Sequence, residues 1–411
     1  MRPPVRATIV VTCCAMGPAF ALVAHASPLA ISERDFVSQV KRADPGREAL
    51  EADVDSARAE VAGARVLANP VVSYDREETF QAGEGLPEQV LRADWTIDIS
   101  GARGRRIAGA ELGVAATRAD VALRQLELEI DARRVYREAA CIRLRAELLR
   151  GQRTTLARLV SIVQKRTRAG DAAGYDLQRL ELELGNYDDL LASVELDLGQ
   201  ARRRLALLAG QPGGALEPSD SLPIPAEPTS GAQVDVAGRL DHQTAKLRHR
   251  QADAELAAAR RGWVPRIGIG GGMKWIDLGN ETANGYVAGI SLALPLFDHG
   301  EADALRARAA ARRAAAELRR VEQRTAGAVG PAREDLVRRI AQAKAFESRQ
   351  MVRLDGLLRA AEASYREGER PIGELLEAYR TARETRLRAL ELRRDAAIAE
   401  LELAKALGRG P

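Results

Sequence analysis

The chain has 411 residues, 46% hydrophobic, 29% charged and only 4% aromatic, with a formal net charge of +4. That much charge excludes a bundle of transmembrane helices, and that much hydrophobicity excludes a disordered chain. Fifteen aromatics are too few for an ordinary sandwich or large enzyme core, and the Ala-, Leu- and Arg-rich bulk reads as long helices.

Arg2 and Arg6 precede an apolar run from Ala7 to Val23, and Ala24-His25-Ala26 places small residues before Ser27. This is the three-part pattern of a secretory leader over 1–26. A transmembrane anchor is the competing reading, but the run is short and broken by Gly17-Pro18. Cys13 and Cys14 follow Val11-Thr12, unlike the Leu-small-small context of a lipid-modified cysteine. Loss of the leader removes two arginines and no acids, leaving +2. Charge then gives no case for nucleic acid, since Glu and Asp are interspersed throughout. Cys141 becomes the lone cysteine, is expected as a small buried residue, and makes no intrachain disulfide.

The remainder is one unit written twice: 27–210 and 232–411, joined by a Pro-rich connector over 211–231. Gly170 and Gly368, Asp176 and Glu374, and Gly210 and Gly408 are each 198 apart. Upstream, Asn69-Pro70 matches Val264-Pro265 and Gly104 matches Gly300. Each half reads helix, two strands, long helix, tight turn, helix.

In the first half, strands are expected over about 71–80 and 90–99, with Ala82 to Pro87 as their turn. Leu91, Ala93, Trp95, Ile97 and Ile99 alternate with Arg92, Asp94, Thr96 and Asp98. A helix over about 105–168 follows, roughly 95 Å long at 1.5 Å per residue. After the turn, Leu177, Leu180, Leu184, Tyr187, Leu191, Val194, Leu198, Ala201, Leu205 and Leu208 form a heptad seam.

In the second half, strands are expected over about 266–276 and 286–296. Ile267, Ile269, Met273 and Trp275 share one face of the first, and Tyr286, Ile290, Leu292 and Leu294 one face of the second. Gly268-Ile269-Gly270-Gly271-Gly272 has the composition of a phosphate loop but no following Lys-Ser/Thr, so it is set aside. The helix over about 301–367 is interrupted by Gly327 and Gly330-Pro331, where a kink is expected. The final seam repeats the first with small residues, including Ala378, Ala382, Ala389, Ala396 and Ala399.

The strand runs hold seven of the fifteen aromatics, and each is about as long as a tilted membrane strand. Two hairpins capping a soluble coiled coil would leave an apolar face in water. In a bilayer, an open sheet edge leaves backbone groups unpaired. Four strands cannot close a barrel, whose smallest membrane form has about eight, so several copies must share one.

These features resemble the TolC family of outer-membrane efflux proteins, over nearly the whole chain past the leader. The marks are the duplication, the paired hairpins opening into long helices, the glycine tip turns, Arg239-Leu240-Asp241 and Pro295-Leu296-Phe297-Asp298-His299-Gly300. Asn69-Pro70 and Ile99-Ser100-Gly101-Ala102-Arg103 resemble the branch serving heavy-metal cation efflux. The resemblance implies a mainly α chain with membrane β. It implies a homotrimer with a twelve-stranded barrel in outer-membrane lipid and a periplasmic helical tunnel. A periplasmic adaptor and an RND-type inner-membrane pump would be its partners.

It also implies site residues. Tyr365 and Arg370 at the second tip match a gate lock against an acid, here Asp176; Arg and Tyr can both donate to one carboxylate. Glu374 and Glu377, three apart on one helix face, would form two carboxylate rings favouring cations at a narrow mouth. Arg168, Gly170, Arg366 and Gly368 mark the tips as adaptor contacts. The plainer alternatives are a solvated charge run at a turn and acids complementing a helix dipole. No enzyme constellation, metal site or cofactor motif is found, and His242, His249 and His299 lack ligand spacing. A periplasmic coiled-coil adaptor or scaffold, and a duct for drugs or type I protein secretion, are the competing functions.

Overall fold

The computed structural model describes residues 28–81, 84–170, 173–228, 235–278 and 281–410. The expected leader lies outside them, as do Asp171 and Ala172 of the first tip turn.

The first half runs β1 (Leu29–Ile31), α1 (Glu33–Ala43), α2 (Gly46–Arg65), β2 (Val71–Gln81), β3 (Glu84–Ile97), α3 (Ala102–Ala169) and α4 (Gly174–Leu208). The connector carries β4 (Leu216–Pro218). The second half runs α5 (Leu240–Ala259), β5 (Arg266–Asp277), β6 (Thr282–Ala293) and α6 (Glu301–Phe346). It continues through a π-helical turn (Glu347–Met351) to α7 (Val352–Arg366) and α8 (Ile372–Leu407).

Helix α3 has 68 residues, so it extends about 100 Å. Leu149, Leu156 and Val163 recur every seven residues on one face and are buried against Leu180, Tyr187, Val194 and Leu198 of α4. The seam on α8 is buried too, with Leu375, Ala378, Ala382, Ala389, Leu392, Ala396, Ala399 and Leu403 all inside. Cys141 is buried on α3.

The second long helix departs from expectation. Helix α6 continues through Pro331, and the ladder changes only at Glu347–Met351. Pro331 removes a bond that would have ended on the Gly327 carbonyl, and the glycines at 327 and 330 give that turn backbone latitude. The π turn contains no buried residue, so no packed seam holds it in α register.

The repeat alignment also shifts at the helix starts. Gly101 and Gly300 are both left-handed N-caps, with φ of 67° and 77°. Gly300 therefore corresponds to Gly101, not to Gly104, which lies inside α3. Only glycine adopts that conformation without penalty.

The four long strands form one antiparallel sheet in the order β2-β3-β5-β6. Strands β3 and β5 join the halves, pairing Leu91 with Met273 and Trp95 with Ile269. β3 begins at Glu84 rather than near 90, and β6 spans 282–293 rather than 286–296. Gly85 and Pro87, expected in a turn, and Asn284 and Gly285, expected between the two strands, occupy paired positions. β5 pairs β3 only from Glu88 onward, so Pro87 lies just past the doubly paired stretch, where a missing N–H is tolerated.

Tyr74, Leu91, Met273 and Tyr286 stand in register across all four strands. Trp95, Ile269 and Ile290 form a second row. Among the described residues nothing covers this face: Tyr286 is 88% exposed, and Phe297 just beyond β6 is 99% exposed. The outer edges of β2 and β6 have no strand neighbour among the described residues. No described helix is long and apolar enough to cross a membrane.

The connector is more ordered than its proline content suggests. β4 pairs in parallel with β1, and Leu216 and Leu222 are buried. The Tyr136 hydroxyl on α3 lies 2.8 Å from the Ile31 carbonyl and 3.0 Å from the Asp220 carboxylate, and accepts from the Ser219 amide. Burial and the Asp220 carboxylate push that phenol up to about 12. One tyrosine thus fastens the start of the first repeat and the connector to the middle of α3.

Candidate functional site

The two helical tips carry every residue singled out from the sequence. The first closes at Gly170, whose φ of 85° turns its N–H back to the Arg166 and Thr167 carbonyls. The second closes at Gly368, with φ of 77°. There the Glu369 amide returns to the Ser364 carbonyl at 2.9 Å, the wrap expected of a left-handed helix end. A Cβ at either glycine would meet nothing within 4 Å, so the backbone conformation alone demands glycine. Arg168, Gly170, Arg366 and Gly368 are all exposed.

Pro371 caps α8 in extended conformation, and Ile372, Leu375, Leu376 and Tyr379 insert into the core formed by α3 and α4. This packing fixes the start of α8 against the first hairpin. It leaves Glu374 and Glu377 exposed on the opposite face.

Tyr365 packs half-buried against the same core. Burial raises its phenol, and the negative charge of Asp176 raises it further while Arg166 opposes. Tyr365 and Asp176 are therefore electrostatic neighbours within one chain. Arg370 is not paired with Asp176 in this chain. Its Nη1 donates to Glu374, 2.9 Å from Oε2 and 3.2 Å from Oε1. The reason is spacing: the two lie four apart across the start of α8, which brings their side chains together. One ion pair thus joins the expected lock to the expected first ring. Arg370, Glu374 and Glu377 rim a groove of about 460 Å³ between α7 and α8, floored by Ala361 and Ala378.

One cluster escaped the sequence reading. Glu183 on α4 is only 2% exposed. Arg380 of α8 donates to it through Nη2 at 2.6 Å and Nε at 3.1 Å, and Arg383 stands 3.7 Å away. Its carboxyl lies below the usual range because these arginines outweigh the opposing effect of burial. The Arg383 guanidinium also lies 5.1 Å from the centre of the Tyr187 ring. The Tyr379 hydroxyl donates to Glu362 of α7 at 2.7 Å. The available signal was positional. Glu183 flanks the seam between Leu180 and Tyr187, where coiled coils place interhelical ion pairs.

Residues 236–409 match the family described as outer membrane efflux protein. The chain is 30% identical over 201 residues to the fusaric acid resistance protein FusA of Burkholderia cepacia, covering 45% of this chain and 37% of that one. It is 24% identical over 282 residues to the nickel-cobalt-cadmium resistance protein NccC of Alcaligenes xylosoxydans xylosoxydans, covering 67% and 64%. These matches span less than two thirds of either relative. The fold superposes on the outer membrane protein VceC of Vibrio cholerae with a TM-score of 0.74 and 17% identity, covering 92% of this chain and 96% of that one.

Proposed function

We propose that the chain, whose residues 236–409 match the outer membrane efflux protein family, is a member of that family and a passive, trimeric exit duct of a tripartite efflux system. The observation that carries this reading is the four-stranded sheet with two open edges and an uncovered apolar face. In lipid, those edges need partners. Joining β6 of one copy to β2 of the next closes the sheet. Two copies would give eight strands, a barrel filled by its own side chains, whereas three give twelve and a lumen. Helices α3, α4 and α6–α8 would continue that lumen as a periplasmic tunnel. In this reading 1–26 is a removed leader, 27–210 and 232–411 are the two repeats, and 211–231 joins them.

Energy comes from an RND-type inner-membrane pump through a periplasmic adaptor that meets the tips at Arg168, Gly170, Arg366 and Gly368. The gate is Tyr365, Arg370 and Asp176, with Arg370 exchanging Glu374 for the Asp176 of a neighbouring copy on closure. Glu374 and Glu377 form carboxylate rings at the mouth, which favour cations. Those rings, with the name of the nickel-cobalt-cadmium relative, favour heavy-metal cations as cargo. The fusaric acid relative supports a second reading, small organic compounds.

Planar-bilayer recording tests the duct and its gate. Tyr365→Phe with Arg370→Ser raises single-channel conductance, and Glu374→Gln with Glu377→Gln weakens block by multivalent cations. Unchanged conductance removes the lock, while extraction without detergent and no crosslinked trimer would favour a soluble adaptor.

A further inference from the structure

The glycine run Gly268-Ile269-Gly270-Gly271-Gly272, which has no phosphate-loop role, acquires one in the sheet. Alternation places Gly268, Gly270 and Gly272 of β5 on the face opposite the apolar rows, beside Thr96, Asp94 and Arg92 of β3. Gly289 of β6 is in register with Gly270. Arg92 and Asp94 form an ion pair on this face, with Nη2 2.7 Å and Nε 2.8 Å from Oδ1.

Both side chains lie sideways along the sheet. A Cβ on Gly270 would fall 1.9 Å from Asp94 Oδ1 and 3.1 Å from Arg92 Nε. A Cβ on Gly289 would fall 3.0 Å from Arg92 Nη2. The guanidinium therefore crosses the whole of β5 and reaches β6, about two strand spacings from its own backbone. Missing side chains at 270 and 289 form the floor on which it rests.

We propose that this glycine floor makes Arg92 and Asp94 a specificity-determining belt, a wall-bound ion pair that sets the charge selectivity and free width of the lumen. The proposal rests on the trimeric duct reading, in which this face lines the lumen and each trimer carries three pairs. Held flat and neutralised by Asp94, Arg92 adds neither bulk nor net positive charge near the axis. The same face carries Asp75, Glu77 and Glu88 as acids, with Lys274, bonded to Glu88, and Arg266, at the start of β5, as its other cations. With Arg92 neutralised, its remaining charge is acidic and favours cations. Lifted off the floor, three arginines would project inward as fixed cations.

Gly289 is the position to test, because its added Cβ meets only the mobile end of Arg92. At Gly272 a Cβ would meet the Leu91 carbonyl at 2.1 Å, so folding itself would be at risk. Trimers carrying the Tyr365→Phe and Arg370→Ser opening pair are recorded under a KCl gradient, so that the tips do not limit current. Gly289→Val, or Gly289→Ala if valine blocks insertion, shifts the reversal potential toward anions and lowers conductance. Asp94→Asn shifts the reversal potential the same way. Arg92→Ala shifts it toward cations, and combined with Gly289→Val it cancels the valine effect. Channels whose reversal potential is unmoved by Gly289→Val or by Arg92→Ala overturn the belt while leaving the duct intact. So does a valine effect that persists without Arg92. Absence of channels from trimers carrying the opening pair alone overturns the duct, and the belt with it.

Discussion

The two helical hairpins descend from one repeated pattern, yet they are built differently. In the first, α3 is unbroken, and Leu149, Leu156 and Val163 bury a leucine-rich seam against α4. In the second, the matching positions 198 residues later are Glu347, Leu354 and Ala361. There the first helix of the hairpin breaks into a π turn, and Leu354 is the one buried residue of α7. The second helices of the hairpins, α4 and α8, differ in the opposite sense. Leu184 and Tyr187 of α4 become Ala382 and Thr385 of α8, whose small side chains let it sit close to α3, α4 and α6. Duplication has thus preserved the glycine turns at 170 and 368 and redistributed the packing. The first hairpin is well packed on both helices, while the second has a tightly packed α8 and a loosely packed α7.

Three substitutions break or sharpen this contrast. The largest effect belongs to Leu149→Ala. Leu149 is 1% exposed, and emptying such a site costs about 2–5 kcal/mol. A clear drop in the thermal midpoint of the detergent-solubilised protein is expected, and no drop would mean that the α3–α4 seam is not the well-packed element. Next is Glu183→Gln, which keeps the shape but weakens the charge-assisted bonds from Arg380. Hydrogen bonds to charged groups contribute about 1.5–3 kcal/mol, and exposure of Arg380 keeps the loss toward the lower end.

This second effect depends on pH with a defined sign. The Glu183 carboxyl lies below its ordinary value of 4.5 in the folded protein. Its contribution is therefore fully present above pH 4.5 and disappears as pH falls through the lower folded value. Melting curves of wild type and Glu183→Gln converge in acid, and parallel curves down to the lowest pH would refute the assignment. The smallest effect is Glu347→Ala, at the position equivalent to Leu149. Glu347 is bonded to Arg393 at the start of the π turn, and such half-exposed pairs contribute about 0.2–1 kcal/mol. A loss as large as that of Leu149→Ala would show that the two hairpins are equally packed after all.

Much of this architecture was legible before any coordinates. The seam from Leu177 to Leu205 and its alanine counterpart on α8 follow from heptad spacing, because burial on a helix repeats every three or four residues. The tip turns follow from Gly170 and Gly368. The strand ends were less legible, because Pro87 and Asn284-Gly285 have turn chemistry but lie where antiparallel pairing continues. The change of ladder at Glu347–Met351 carried no signal comparable to Pro331, since it reflects missing packing and not a distinctive residue.

What the sequence determined by itself is therefore local: helix length, strand alternation, and the glycines that reverse the chain. Each is a matter of backbone preference and short-range periodicity. The tertiary structure alone decided which distant groups meet. Glu183 finds Arg380 197 residues away, Arg370 takes Glu374 within this chain, and Arg92 comes to lie over glycines contributed by the other repeat. Ion pairs and steric floors depend on distances of a few ångströms between segments far apart in the chain. Length, composition and charge, which exclude so much at the outset, carry no record of those distances.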